Sequence, residues 1–320
     1  MNNTACAVAY DSYPECLVSS NTPFYYSHKP NLSSYMSDQQ LTLAVIFVAY
    51  WALSLIFHHL DVAQYKWMEK YRIHESAEVQ AKNLVSRWQV VVAVLFQQAI
   101  QTALGLWWIE DKVSPNHGKE MQRIGGVLQF VLKNLTGRQT SAALLEAYGP
   151  ACVYIIYWWA IPTAQFLGAI FFVDTWQYFL HRAMHLNKWL YKNVHSWHHR
   201  LYVPYAYGAL YNHPVEGFLL DSLGSVIAEA LTGMSVRQAM LLFTISTLKT
   251  VDDHCGYKLP FDPLQLMSSN NADYHDIHHQ VIGIKSNFAQ PFFVHWDYWL
   301  NTRMTREDIA RRKAKSSKSL

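Results

Sequence analysis

The chain has 320 residues and a formal net charge of +3. Only 15% of its side chains are charged, against ~25% in ordinary soluble domains, while 51% are hydrophobic, with 12 Trp, 20 Tyr and 15 Phe. This balance argues against a soluble protein and for a membrane protein rich in interfacial aromatics, and the scattered basic residues give no sign of nucleic-acid recognition.

Residues 1–40 are polar and read as a loose or surface-lying arm. This N-terminus is not basic and then apolar, so no cleavable leader is expected. Asn2, Asn31 and, further on, Asn134 begin N-x-S/T sequons, which matter only on a lumenal side. Of the four cysteines, Cys6, Cys16, Cys152 and Cys255, none forms a CxxC pair, which speaks against thiol-based metal or redox chemistry. Cys6 and Cys16 can pair if this end faces an oxidising lumen.

Residues 41–57 are continuously apolar and predict a first membrane span. The charged stretch 58–88 carries Lys66, Lys70, Arg72, Lys82 and Arg87 and reads as a cytosolic connection. Residues 89–109 predict a second span. Its polar Gln97, Gln98 and Gln101 suit hydrogen bonds between helices. Within 110–147, Ile124, Val127, Leu128, Val131 and Leu135 recur with helical spacing and predict an amphipathic interfacial helix. The two polar connections carry equal numbers of Lys and Arg, so charge alone does not orient the protein.

Residues 150–180 are apolar over a length of roughly 45 Å, more than a ~30 Å hydrocarbon core requires. The helix should leave the membrane at its end and carry His181 into water, with a kink at Pro162. Residues 200–216, aromatic and without period, predict a loop over the site. Runs 217–231 and 236–250 predict a membrane hairpin, with Gly233 as a helix C-cap and Ser235 as an N-cap. From Arg303 the tail is basic and reads as a solvated end drawn to anionic headgroups.

The histidines carry the chemistry. His181-x3-His185 is followed by His195-x2-His198-His199, and the second pattern returns as His275-x2-His278-His279. Side chains three and four apart share a helix face, so each box presents its imidazoles together. Neutral imidazole binds zinc, copper, iron and nickel. Eight box histidines exceed the four ligands of one structural zinc and fit two metals with open positions. His181 and His195 would stand roughly 21 Å apart on one straight helix, too far for a pair of metals ~4 Å apart. The chain must therefore turn between His185 and His195, with Asn187 a fitting helix end. A membrane metal transporter would instead hold its histidines at mid-membrane within spans, whereas these boxes flank the spans.

At these boxes the sequence resembles the membrane-bound fatty-acid hydroxylase superfamily of endoplasmic-reticulum di-iron oxygenases. The runs FVDTWQYFLHR, YVPYAYGALYNHPVEGFLLD, KTVDDHCGY, YHDIHHQ and IKSNFAQPFF, within 170–293, are similar to its sphinganine C-4 hydroxylase branch. The resemblance implies an all-α integral membrane protein with about four membrane-embedded helical elements, including the hairpin, and a cytosol-facing, histidine-rich two-metal domain. The implied organisation is a polar arm over 1–40, spans and interfacial helix over 41–147, the hydroxylase domain over 148–302 and a basic tail over 303–320.

The resemblance also implies the ligands: the eight box histidines, joined by His254 in DDHCGY and His213 in YNHPVEG. Asp174, Asp252, Asp253 and Asp276 are candidates to orient ligand histidines, and Asp252 or Asp253 alternatively to hold a substrate amine. Tyr202, Tyr205, Tyr207 and Tyr211 are candidates for the wall of a substrate entrance or for interfacial anchors. His28, His58, His59, His74, His117 and His295 match no box. The implied substrate is sphinganine or its ceramide form. Its carbon 4 has no acidic proton and no leaving group, so acid–base chemistry cannot touch it; iron with dioxygen supplies a sufficient oxidant. Zinc fits the same ligands without redox activity. No nucleotide-binding motif is evident, so the electrons would come from NAD(P)H through a reductase and cytochrome b5, with ceramide synthase a further partner in the membrane. Other oxidations on the same scaffold, namely fatty-acyl 2-hydroxylation, sterol methyl oxidation and desaturation, share the boxes.

Overall fold

The computed structural model describes residues 13–110 and 115–317. They are helical throughout, and the single pairing of extended backbone among them is an isolated bridge between Arg72 and Tyr257. The chain divides into two compact units, Met1–Ser37 with Asp111–Leu167, and Asp38–Glu110 with Gly168–Leu320. Among the described residues, three helical stretches are long and apolar enough to cross a membrane: Asp38–Ala63, Arg87–Trp108 and Arg138–Leu186.

In the first unit, Leu17, Met121, Leu145, Val153 and Trp158 form the core. The helix His117–Thr136 starts where Asn116 caps the Lys119 N–H. Its buried face is Met121 and Gly125, flanked by Ile124, Leu128 and Leu132. Ile124 and Leu128 pack inward, while Val127, Val131 and Leu135 are exposed. The reason is Leu17, which seats against Gly125 and Gly149, where a Cβ on Gly149 would lie 2.5 Å from its Cδ2. Cys16, one residue before it, is disulfide-bonded and Cys152 is free; Cys6 lies outside the described residues.

The third stretch is helical from Arg138 through Leu186, with the ladder widened to π geometry over Ile156–Ala160. The expected disturbance at Pro162 takes this form. Proline has no N–H to give the carbonyl of Trp158 four residues back, and that carbonyl accepts the Tyr25 hydroxyl instead.

In the second unit, the first span packs most extensively against the helix Val236–Asp253. The second span starts with a full capping box between Ser86 and Gln89. Its Gln98 accepts a hydrogen bond from Trp51 of the first span at 2.8 Å, the inter-helix role expected of it. The turn at 233–235 is as expected: Gly233 adopts φ 63, a left-handed conformation that suits glycine, and Ser235 forms a capping box with Gln238. The helices on either side, Gly224–Thr232 and Val236–Asp253, are not among those long and apolar enough to cross a membrane. The tail forms the helix Arg306–Ser317, and its residues 310–315 are exposed, as expected of a solvated end. Arg306 at its start pairs with Asp273 and Asp276 of the third-box helix.

Candidate metal centre

Each box sits on its own short element. His181 and His185 lie on the last two turns of the helix Ile161–Leu186. The chain then breaks as its spacing demands. Asn187 caps the N–H groups of Trp189 and Leu190 and starts the short helix Lys188–Asn193. A 3-10 helix, His195–Arg200, follows and carries the second box. The third box occupies Ala272–His279, which begins at the cap Asn271. His254 is the residue that ends Val236–Asp253.

These elements bring nine of the ten candidate histidines into two groups. His181, His185, His195, His199 and His278 form one, and His198, His254, His275 and His279 the other. Within each group the nearest ring nitrogens all lie within 4.8 Å of one another. The groups abut: the rings of His199 and His279 are 4.8 Å apart, centre to centre. All nine are buried, so His181 ends inside the protein and not in water.

The hydrogen bonds behind the rings set the tautomers. Nδ1 of His181 faces the Phe288 carbonyl at 2.8 Å, that of His254 the Thr250 carbonyl at 2.8 Å, and that of His278 the Ser286 carbonyl at 2.7 Å. Nδ1 of His279 faces the Leu201 carbonyl at 2.8 Å and that of His198 the Tyr211 carbonyl at 3.3 Å. A carbonyl only accepts, so each of these Nδ1 atoms carries the proton and Nε2 keeps its lone pair. Burial pushes His195 down to about 3, His198 to about 4 and His254 to about 3, and holds His199, His275, His278 and His279 well below the ordinary value. The rings are neutral bases. In the first group the Nε2 atoms of His181, His185, His195 and His199 stand 2.7–3.2 Å apart, while the buried Nε2 of His278 has no hydrogen-bond partner. Converging lone pairs repel unless a cation lies among them, so this donor set fits a metal ion in each group.

The second layer differs from the expected one. His213 stands apart from both groups: its Nδ1 accepts the Val215 N–H and caps a short helix. None of the four candidate aspartates touches a ligand histidine. Asp174 accepts the backbone N–H groups of Phe292 and Phe293 and fixes the strand of loop before His295. Asp252 accepts from the Gln265 amide, and Asp253 pairs with the buried Lys249. Asp276 pairs with His74 and Arg306. Backbone carbonyls do most of the orienting work instead. The exception is Glu216, fully buried, whose Oε1 lies 2.5 Å from His195 Nδ1. Nothing in a single sequence separates Glu216 from a surface glutamate; its position in YNHPVEG, inside a branch-specific run, is the one signal. Glu216→Gln should retain the fold and lower metal affinity by roughly 10–100-fold, read as metal bound per chain against free metal. Unchanged affinity would show that the carboxylate is not needed to orient His195.

Tyr205, Tyr207 and Tyr211 are buried in the core around Tyr50 and Val94, with Tyr202 packed against it, and do not line an entrance. The open space lies elsewhere. A mainly apolar cavity runs between the two first spans and the helices 224–232 and 236–253, with Gln177, Leu210, Thr250 and Pro291 at one end. Gln177 is one helical turn before His181, and the carbonyl of Thr250 holds His254. These two lining residues bring that end of the cavity near the histidine groups, although no histidine is among its lining residues.

Long apolar helices, two abutting all-histidine groups and a mainly apolar cavity among the spans mark a helical membrane protein built to hold metal. Residues 166–302 match the family model described as fatty acid hydroxylase. The chain is 46% identical to the sphingolipid C4-hydroxylase of Saccharomyces cerevisiae over 94% of this chain and 85% of that protein. It is 41% identical to sphinganine C4-monooxygenase 2 of Arabidopsis thaliana over 85% and 90%. It is also 39% identical to a very-long-chain aldehyde decarbonylase of Oryza sativa over 87% and 93%. No solved structure matches. The chain belongs to the fatty acid hydroxylase family.

Proposed function

We propose that this protein is a di-iron oxygenase that hydroxylates carbon 4 of a saturated sphingoid base, free or N-acylated, to give phytosphingosine-type products. The observation that carries this reading is the pair of abutting groups of neutral, buried imidazoles. The relatives named C4-hydroxylases support the position of attack. The residues that would hold the metals are His181, His185, His195, His199 and His278 for one and His198, His254, His275 and His279 for the other. Two bound iron ions would supply the activation of dioxygen that an unactivated C–H bond demands. One oxygen atom enters the product, and the other leaves as water with two electrons and two protons, the electrons coming from NAD(P)H through a reductase and cytochrome b5.

The chain's own residues do the rest. Carbonyls of Phe288, Ser286, Leu201, Tyr211 and Thr250 hold the ring orientations, so little reorganisation is needed at the moment of reaction. Burial of the whole set excludes bulk water. We place the protein in the endoplasmic reticulum membrane, with the site on the cytosolic side together with the basic 58–88 connection and tail. In this reading 1–40 is an arm, 41–147 spans and interfacial helix, 148–302 the hydroxylase domain and 303–320 the tail, with ceramide synthase a neighbour in the membrane.

The test is metal content and product identity together. Protein purified after expression with iron, fed sphinganine, dioxygen and reduced cytochrome b5, should contain about two metal ions per chain, one for each histidine group, and yield the 4-hydroxy base. A double bond in the base, or untouched sphinganine with turnover of a fatty-acyl, methylsterol or long-chain aldehyde substrate in its place, would reassign the chemistry. Zinc in the sample with no turnover would indicate replacement of the redox metal.

A further inference from the structure

The cavity has a charge pattern that the metal centre does not explain. No lysine, arginine or histidine is among its described lining residues, yet two carboxylates are, Asp221 and Glu229. Asp221 lies in the π-helical turn Phe218–Leu223. It is five residues after Glu216 and within electrostatic range of it, and Glu216 is the carboxylate on His195. Its Oδ2 is closed off from solvent and has no hydrogen-bond partner. A carboxylate in a mainly apolar enclosure is costly without a counter-charge. A cationic ligand would supply one.

The rest of the cavity defines the ligand's shape. Asp221 shares the histidine end with Gln177 and Thr250. From there the lining residues of the second span run from Gln98 to Ile109, a rise of roughly 16 Å, past Leu43 and Trp108. Three bonds of an extended chain advance ~3.6 Å, so this channel takes roughly a dozen methylenes. Glu229, eight residues beyond Asp221, is displaced roughly 12 Å along the helix toward the apolar end.

We propose that the cavity binds an unacylated long-chain primary amine, its ammonium paired with Asp221 at the histidine end and its alkyl tail lying between the first two spans. This rests on the C4-hydroxylase reading and deepens it. In a sphingoid base the amine sits two carbons from carbon 4, so pairing at Asp221 fixes carbon 4 within a few ångströms of this carboxylate, on the side of the cavity where Glu216 holds His195. N-acylation removes the charge, and Asp221 then selects the free base over the ceramide form.

The test measures binding without turnover, on the purified full chain in lipid nanodiscs, with sphinganine and N-acetylsphinganine as probes. Wild type should bind sphinganine at least ~10-fold tighter than the N-acetyl form. D221N should lose that preference, with N-acetylsphinganine affinity and metal content within about twofold of wild type, and D221E should restore it. E229Q should leave the preference intact. Equal binding of the two probes by wild type, parallel weakening of both in D221N, or loss of preference in E229Q with retention in D221N would overturn the assignment. Amine-selective binding through Asp221 in a chain that never hydroxylates sphinganine would leave the assignment standing and sink the C4-hydroxylase reading.

Discussion

His278→Ala is expected to leave a folded, membrane-inserted protein that has lost metal and turns over at background. The imidazole supplies a buried Nε2 without a hydrogen-bond partner to a group of five histidines, and no other residue of its helix belongs to that group. Removing a ligand should exceed the ~10–100-fold effects typical of groups that merely orient ligands. His198→Ala makes the same test on the second group, where the His198 ring lies 4.7 Å from that of His279, centre to centre. Metal analysis of the two variants should show each losing occupancy, with product formation from sphinganine falling to the limit of detection. His59→Ala is the control. His59 meets only the Tyr65 hydroxyl and ring at an exposed site and belongs to neither group, so metal and turnover should be those of wild type. Full activity with normal metal in both box variants would refute the site.

Lys249→Ala is expected to have the largest effect on stability. Lys249 is completely buried on the helix Val236–Asp253. Its ammonium meets the Asp253 carboxylate one turn on and donates to the Asn270 carbonyl at 2.7 Å. Breaking a buried pair from one side leaves the other charge uncompensated, at a cost of ~3–5 kcal/mol. The damage should reach the metal site, because Asn270 immediately precedes the cap Asn271 of the third-box helix, and Asp253 immediately precedes His254 in the chain. Thermal unfolding in detergent should show a much lower midpoint together with reduced metal occupancy. The neutral pair Lys249→Met with Asp253→Asn should recover most of the stability, since neither charge is then stranded. If the single variant is as stable as wild type, Lys249 is not structurally required.

Both predictions start from residues whose importance was not equally visible. His278 is found from HxxHH alone, because the motif is local: three side chains of one type at helical spacing share a face whatever the rest of the chain does. Lys249 is not found that way. In the run TLKTVDD it looks like the polar end of an amphipathic helix, and only its burial reveals the ion pair. The same holds for Asp297. It accepts from the Tyr274 hydroxyl and from the backbone N–H groups of Phe288 and Ala289, and thereby holds the segment whose carbonyl orients His181. The expectation that Asp174, Asp252, Asp253 and Asp276 would back the ligands failed for a related reason. Closeness in sequence to a histidine says little about which backbone carbonyl arrives behind the ring.

The sequence by itself determined that the protein is helical and membrane-bound, that it carries three histidine boxes, and that the chain must turn after His185. Each of these follows from local spacing or composition. Only the tertiary structure decided how nine histidines divide between two groups, that His213 joins neither, that Glu216 is the carboxylate on His195, and that Asp221 faces a cavity between spans. Those facts depend on which segments far apart in the chain are brought side by side, and a buried carboxylate is spelled no differently from an exposed one until its neighbours are in place.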